Sequence, residues 1–318
     1  MSEALPVIDL SGFREGGGKD AVAAAAARAC EEVGFFYLIG HGVAPGLMAE
    51  GLTQTQRFFD QEEAEKLTLH ISKSPLHRGY FPVFEEATDP SLIKGDLKEG
   101  FDLARDLPPD DPDVLAGLPL HGPNVWPENL PGFRETLERC FAEMRRLAEE
   151  LMGCFALGLS LDEDFFADKI DRPLAQLRLL HYPPQEATPL AEAVGCGTHT
   201  DYGCLTILNQ DDNGGLIVRA RKGEWIEVPP LPGAFVVNIG DQLARWTNGR
   251  FAATPHRVIN RSGRERYSMP FFFDPNFDAL VECLPSCLAP GQSPRFAPVL
   301  AGDYLIGRYN DTFAYRKA

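Results

Sequence analysis

His199, Asp201 and His256 are residue types that hold a transition metal: two imidazoles and one carboxylate. Together they can occupy one face of an ion and leave the opposite face open, the facial-triad pattern of non-haem Fe(II) sites. The spacing has a geometric reason. Alternate residues of an extended strand point to the same side, so His199 and Asp201 can reach one ion together. His256 opens His256-Arg257-Val258-Ile259, which reads as another strand brought alongside by the fold. Taken alone, a His-x-Asp is better read as a turn whose side chains bond locally. This one has company.

Ten residues past His256 lies Arg266-Tyr267-Ser268, followed by Met269-Pro270-Phe271-Phe272-Phe273. Arg266 and Ser268 are again two apart on an apolar strand. A guanidinium and a hydroxyl facing the same way suit a carboxylate, because Arg supplies a forked pair of donors and Ser one more. Arg266 alone fits a structural ion pair with one of the many acidic residues equally well. Metal ligands followed by a carboxylate clamp are more specific than either part.

These side chains need a frame. The chain has 318 residues, enough for one large domain or two small ones, and a core of that size is buried without disulfides. Its formal net charge is −16, and such a surface repels phosphate backbones, so a nucleic-acid partner is not expected. The seven cysteines form no Cys-x-x-Cys pair. Cys283 and Cys287 lack the further ligands of a zinc site. No apolar run approaches membrane-spanning length, and the N-terminus lacks the basic-then-apolar pattern of a secretory leader. A reduced, cytoplasmic protein with no membrane partner is the expectation.

Leu5–Leu10 reads as a short strand. Asp20 is placed to cap a helix through Ala21–Val33, stopped by Gly34, and the alanines there are strong helix formers. Phe35–Gly40 reads as a buried strand. A helix follows Pro45 through Phe59, and Asp60 with Glu63 resembles a capping box for the next. Residues 72–130, rich in Pro, Gly and Asp, read as long loops around a few short strands, Phe101–Leu103 among them; loops of that length are often functional. Pro131 begins the clearest helix, with Phe133, Leu137, Phe141, Met144, Ala148, Leu151 and Phe155 at helical spacing and Gly158 as its end.

From about residue 174 the texture changes to short strands separated by turn signals. Ala175–Tyr182, Leu205–Asn209, Gly215–Ala220, Glu224–Val228, Ala234–Ile239, His256–Asn260 and Arg266–Phe273 are the candidates. Evenly spaced strands of this kind suggest a sandwich or jelly roll. The expected fold is mainly β with flanking α, the helical N-terminal region packing outside the jelly roll. The regions are 1–130, the N-terminal helices, strands and loops; 131–173, the long helix and linker; 174–276, the jelly-roll domain; and 277–318, a C-terminal extension.

Over nearly its whole length the chain resembles the isopenicillin N synthase-like branch of the Fe(II)/2-oxoglutarate-dependent oxygenases. Leu5-Pro6-Val7-Ile8-Asp9-Leu10 and Gly34–Gly42 match its N-terminal region, and His199-Thr200-Asp201-Tyr202-Gly203 its first metal motif. Asn238-Ile239-Gly240-Asp241, Asn248-Gly249, His256-Arg257-Val258 and Arg266-Tyr267-Ser268 match the remainder, in order. The resemblance implies a double-stranded β-helix with Fe(II) at its open mouth, held by His199, Asp201 and His256. It implies that Arg266 and Ser268 hold the distal carboxylate of 2-oxoglutarate, with a further hydrogen bond from Tyr182. Plant members commonly carry Asn two positions before this Tyr, where this chain has Leu180.

The implied chemistry is oxidative decarboxylation of 2-oxoglutarate by O2 to succinate and carbon dioxide, coupled to oxidation of a small organic molecule. Hydroxylation, desaturation and ring closure all start from such a centre, and no catalytic residue beyond the ligands is required. Phe272 shares the strand parity of Arg266 and Ser268 and could face substrate, or be an ordinary core Phe. Arg78 sits in the loop-rich region that could cover the mouth, where a surface salt bridge is the plainer role. Tyr202 and Phe101 are further candidates. His41 and His181 are expected to be structural, and His70, His77 and His121 to lie at the surface or in local hydrogen bonds. Two other readings fit the motifs. One is an oxidase of the isopenicillin N synthase type that uses no 2-oxoglutarate, since the clamp recognises a carboxylate and not its bearer. The other is a jelly-roll binding protein without catalysis.

Overall fold

The alternation along Arg266–Asn276 organises the molecule. Tyr267, Met269, Phe271 and Phe273 point one way, into a core shared with the helices. Arg266, Ser268, Pro270, Phe272 and Asp274 point the other way, into a cavity. A computed structural model describes residues 5–185, 194–220 and 223–316.

Among the described residues, twelve strands make the two main sheets: β1 Val7–Asp9, β2 Phe35–Ile39, β3 Gly79–Phe81, β4 Glu99–Ala104, β5 Pro173–Tyr182, β6 Cys196–His199, β7 Leu205–Gln210, β8 Leu216–Arg219, β9 Trp225–Glu227, β10 Phe235–Ile239, β11 His256–Val258 and β12 Arg266–Asn276. The larger sheet runs β1-β2-β10-β7-β12-β5-β4-β3 and the smaller β6-β11-β8-β9. They are the two walls of the jelly roll, and the cavity lies between them. The neighbours in sheet order are largely non-consecutive, so strands from both ends of the chain are woven into one wall.

The helix Phe133–Gly158 packs on the outer face of the large sheet. Phe133, Leu137, Met144, Leu151 and Phe155 are fully buried, while Phe141 is half-buried and meets Phe271 edge-on at 5.2 Å. Each fully buried side chain of this kind contributes about 1.5–3 kcal/mol. The helix Pro45–Phe59 starts and ends as its sequence indicates. Gly34 ends the helix Lys19–Glu32 at φ +74°, and a Cβ there would fall 2.1 Å from the Ala252 carbonyl oxygen, so no other residue fits.

Some expectations fail locally. Asp20 is not the cap: the helix begins at Lys19 after Gly18, and Asp20 sits in the first turn, where its charge still meets the helix dipole. No capping box forms at Asp60, because the helix starts at Glu63 with Glu62 before it and no side-chain cap. Asp201 is not on the strand of His199, since β6 ends at His199 and the chain turns. The helix Ala301–Thr312, which the sequence had not suggested, lays Leu305 and Tyr309 along the cavity.

Candidate metal centre and its cavity

Register brings the two histidines together. β6 and β11 are antiparallel, and His199 and His256 are direct partners across them, with ring centroids 4.3 Å apart. Asp201 reaches back from the turn after β6. Its Oδ1 lies 3.5 Å from His199 Nε2 and 3.6 Å from His256 Nε2. Ligand atoms bound side by side at about 2.1 Å stand roughly 3 Å apart, so a small contraction closes the set on an ion. Among the described residues this is the one cluster of three His, Cys, Asp or Glu side chains so arranged.

The surroundings fix each ligand. His199 Nδ1 lies 2.8 Å from the Gly197 carbonyl oxygen, and His256 Nδ1 lies 3.1 Å from that of Thr254. An Nδ1–H donated to a carbonyl leaves Nε2 as the bare lone pair, the tautomer a metal needs. Asp201 Oδ2 accepts hydrogen bonds from Thr206 Oγ1 and from Asn238 Nδ2, the latter at 2.7 Å. Burial opposes ionisation of Asp201, yet His256, His199 and Asn238 outweigh it and hold the carboxyl well below its ordinary range. Burial, reinforced by the charge of His199, pushes His256 down to about 4, so it stays neutral and able to ligate near neutrality. Burial opposes the charge on His199, yet Cys196 and Asp201 hold its imidazole well above the ordinary value, so an arriving metal displaces that proton. The donor set of two imidazoles and one carboxylate, with open space on the far side, fits Fe(II).

That space is a cavity walled by both sheets and by the helix Ala301–Thr312. One end carries Arg266, which is fully buried. Its Nε donates to the Gly214 carbonyl at 2.6 Å, one terminal nitrogen to Gln210 Oε1 at 3.0 Å and the other to Ser268 Oγ at 3.3 Å. Tyr182 pairs with Arg266 across the strands, and its ring lies 4.6 Å from the guanidinium carbon. Three bonds leave N–H groups of the fork to spare, and no carboxylate of the described residues pairs with it. An uncompensated buried charge costs several kcal/mol, so this end is shaped for an acid supplied from outside. Leu180, opposite Ser268, makes the adjoining wall apolar.

Phe272 and Tyr202 line the cavity beyond the metal cluster. Phe101 and Arg78 do not. Phe101 faces the helices, fully buried with its ring 4.7 Å from Phe58, because its partner Leu179 has the outward parity of β5. Arg78 is neither at the mouth nor in a surface salt bridge. It is buried, and it donates to the carbonyls of Leu76 at 2.7 Å and Leu120 at 2.8 Å, behind the cavity wall. His77 is also interior, stacked at 4.0 Å on Tyr309 and bonded to the Tyr315 hydroxyl. His121 is buried too. His181 turns away from Tyr182 to bridge Glu99 and Glu265, and His41 accepts from the Val43 amide in its turn.

Several cavity residues were not found from sequence. Gln176 and Arg178 share parity with Tyr182 on β5, and Asp274 continues the parity of Phe272, so both rows were readable once one member was placed. Lys98 and Glu86 come from the loop-rich region with no signal of their own. Lys98 Nζ lies 2.9 Å from Glu86 and 2.6 Å from Asp96.

Comparison with known proteins agrees with this geometry. Residues 5–129 match the family described as non-haem dioxygenase in morphine synthesis N-terminal, and residues 173–275 match the 2OG-Fe(II) oxygenase superfamily. A 2-oxoglutarate-Fe(II) type oxidoreductase, hxnY, of Emericella nidulans is 36% identical over 99% of this chain and 93% of its own length. A homoarginine-6-hydroxylase of Oryza sativa is 39% identical over 90% of this chain and 87% of its own. The crystal structure of a full-length Neurospora crassa protein in complex with alpha-KG and thymine superposes with a TM-score of 0.85 at 30% identity, covering 96% of each chain.

Proposed function

The chain belongs to the isopenicillin N synthase-like branch of the 2-oxoglutarate–Fe(II) oxygenases and is a dioxygenase of that kind, and on that premise we propose which of its residues do the work. His199, Asp201 and His256 hold Fe(II) through two Nε2 atoms and Asp201 Oδ1. Arg266, with Ser268 and Tyr182 beside it, holds the far carboxylate of 2-oxoglutarate. Phe272 and Tyr202 wall the space where the organic substrate lies. When bound, the iron activates O2 and couples decarboxylation of 2-oxoglutarate to oxidation of that substrate.

The protein's own part is positional. Two backbone carbonyls set the imidazole tautomers, and Thr206 and Asn238 occupy Asp201 Oδ2 so that Oδ1 faces the ion. The apolar wall, Leu180 included, keeps water from the cosubstrate. A cytoplasmic location belongs to this reading and is supported by seven free thiols, five of them buried.

The observation that carries the proposal is Arg266, a fully buried cation without an acid partner among the described residues, in the same cavity as the metal cluster. Titration of 2-oxoglutarate into the anaerobic Fe(II) protein tests it. Arg266→Leu should weaken binding at least a hundredfold, and unchanged affinity would refute the assignment. Substrate oxidation without 2-oxoglutarate consumption would instead favour the oxidase reading.

A further inference from the structure

The substrate side of the cavity has its own polar accounting. Arg178 is the guanidinium there, and it is spoken for: Nε and one terminal nitrogen grip Asp102 at 2.7 and 2.9 Å, and the other reaches Glu86 at 3.1 Å. Lys98 is held by Glu86 and Asp96. Neither cation is left to receive an acid.

Two buried polar groups on this wall are not spoken for. Asp274 is 3% exposed, and its Oδ1 has no hydrogen-bond partner. Gln176 is 6% exposed; its Oε1 accepts from the Tyr309 hydroxyl at 3.0 Å, which fixes the amide and leaves Nε2 without a partner. Gln176 stands opposite Phe272 across β5 and β12, and Asp274 follows two residues on. The register shifts just past Phe273, so Asp274 lies at an irregularity of the ladder and shares the cavity face with Gln176. That leaves room for a small head between them: a donor hydrogen-bonded to Asp274 and, next to it, an acceptor hydrogen-bonded to Gln176. Leaving both groups buried and unmatched is unfavourable, and a matching head removes that cost.

We propose that Asp274 and Gln176 form the substrate-recognising subsite, and that it selects a head carrying an N–H donor beside an acceptor oxygen. The reading rests on the assignment of this cavity as the oxidation site. An amide and an α-amino acid both present that chemistry; a simple carboxylate does not, since it has no N–H to donate to the unpaired Asp274 Oδ1.

Four six-carbon probes that differ only in the head test this: hexanamide, L-norleucine, hexylamine and hexanoate. Each is titrated calorimetrically into the anaerobic Fe(II)- and 2-oxoglutarate-loaded protein. Hexanamide or L-norleucine is expected to bind at least tenfold more tightly than hexanoate, and whichever is tighter identifies the source of the head. Asp274→Leu should bring that preference to within about twofold. Gln176→Leu should weaken the preferred probe while leaving hexylamine unchanged, and it keeps the test open should the Asp274 variant not fold. Hexanoate binding as tightly as the others, a preference that survives Asp274→Leu, or no binding by hexanamide and L-norleucine would overturn the proposal. The 2-oxoglutarate titration is the control: if it succeeds while the head preference is missing, this inference alone fails. If it fails too, the cavity assignment falls.

Discussion

Asn238 Nδ2 donates to Asp201 Oδ2 at 2.7 Å, so the carboxylate presents its other oxygen, Oδ1, to His199 and His256. Asn238 sits on β10, a strand that contributes no ligand itself. Loss of an orienting partner of a metal ligand typically costs 10–100-fold in affinity or activity. Asn238→Leu is therefore expected to weaken Fe(II) binding by about 10–100-fold. Competition with a chelating dye would measure it, with circular dichroism confirming the fold.

Arg266 and Ser268 should differ in weight. Truncating a buried charged partner costs about 2–5 kcal/mol, whereas one neutral hydrogen bond is worth about 0.5–1.5 kcal/mol. Ser268→Ala is expected to raise the KM for 2-oxoglutarate by about two- to tenfold, well short of the effect at Arg266. Steady-state succinate release would show whether the two residues rank in this order.

Phe101 and Phe272 separate core from cavity. Phe101→Ala removes a ring packed against Phe58 and should destabilise the fold by about 3–5 kcal/mol, leaving the KM for 2-oxoglutarate unchanged. Phe272→Ala should do the reverse, with substrate turnover falling and stability moving less. Urea unfolding beside turnover assays would read both, and a shared phenotype would contradict the placement.

Asp274 makes stability pH-dependent. Burial, and then the charge of Asp201, pushes its carboxyl up to about 8 from an ordinary value of 3.8. Between those values the folded chain binds a proton that the unfolded chain has released, so stability falls as pH rises through this window. Asp274→Asn removes the penalty. The metal-free variant should match the parent at pH about 4 and exceed it by on the order of 2–5 kcal/mol at pH about 9.

The sequence was informative where side-chain type and strand parity coincide. Arg266, Ser268 and Phe272 fall on one face because alternation along a strand is rigid, and the long helix from Phe133 follows from its apolar stripe. Parity misled where the chain turns: Asp201 lies past the end of β6, and its proximity to His199 comes from a bend. Phe101 has a plausible residue type and the wrong face, which nothing local to 99–104 reveals. Arg78 reads as a loop cation because burial against backbone carbonyls leaves no periodic trace. Gln176, Arg178 and Asp274 were missed because their importance depends on which strands become neighbours, and that order is set by contacts far apart in the chain.

The account depends on three side chains closing around one iron. Crystals of the anaerobic Fe(II)- and 2-oxoglutarate-loaded protein, measured at the iron absorption edge, test this most directly. The predicted result is a single anomalous peak about 2.0–2.3 Å from His199 Nε2, Asp201 Oδ1 and His256 Nε2, with 2-oxoglutarate reaching from it to Arg266. A peak elsewhere, or an iron that touches fewer than these three residues, would contradict it.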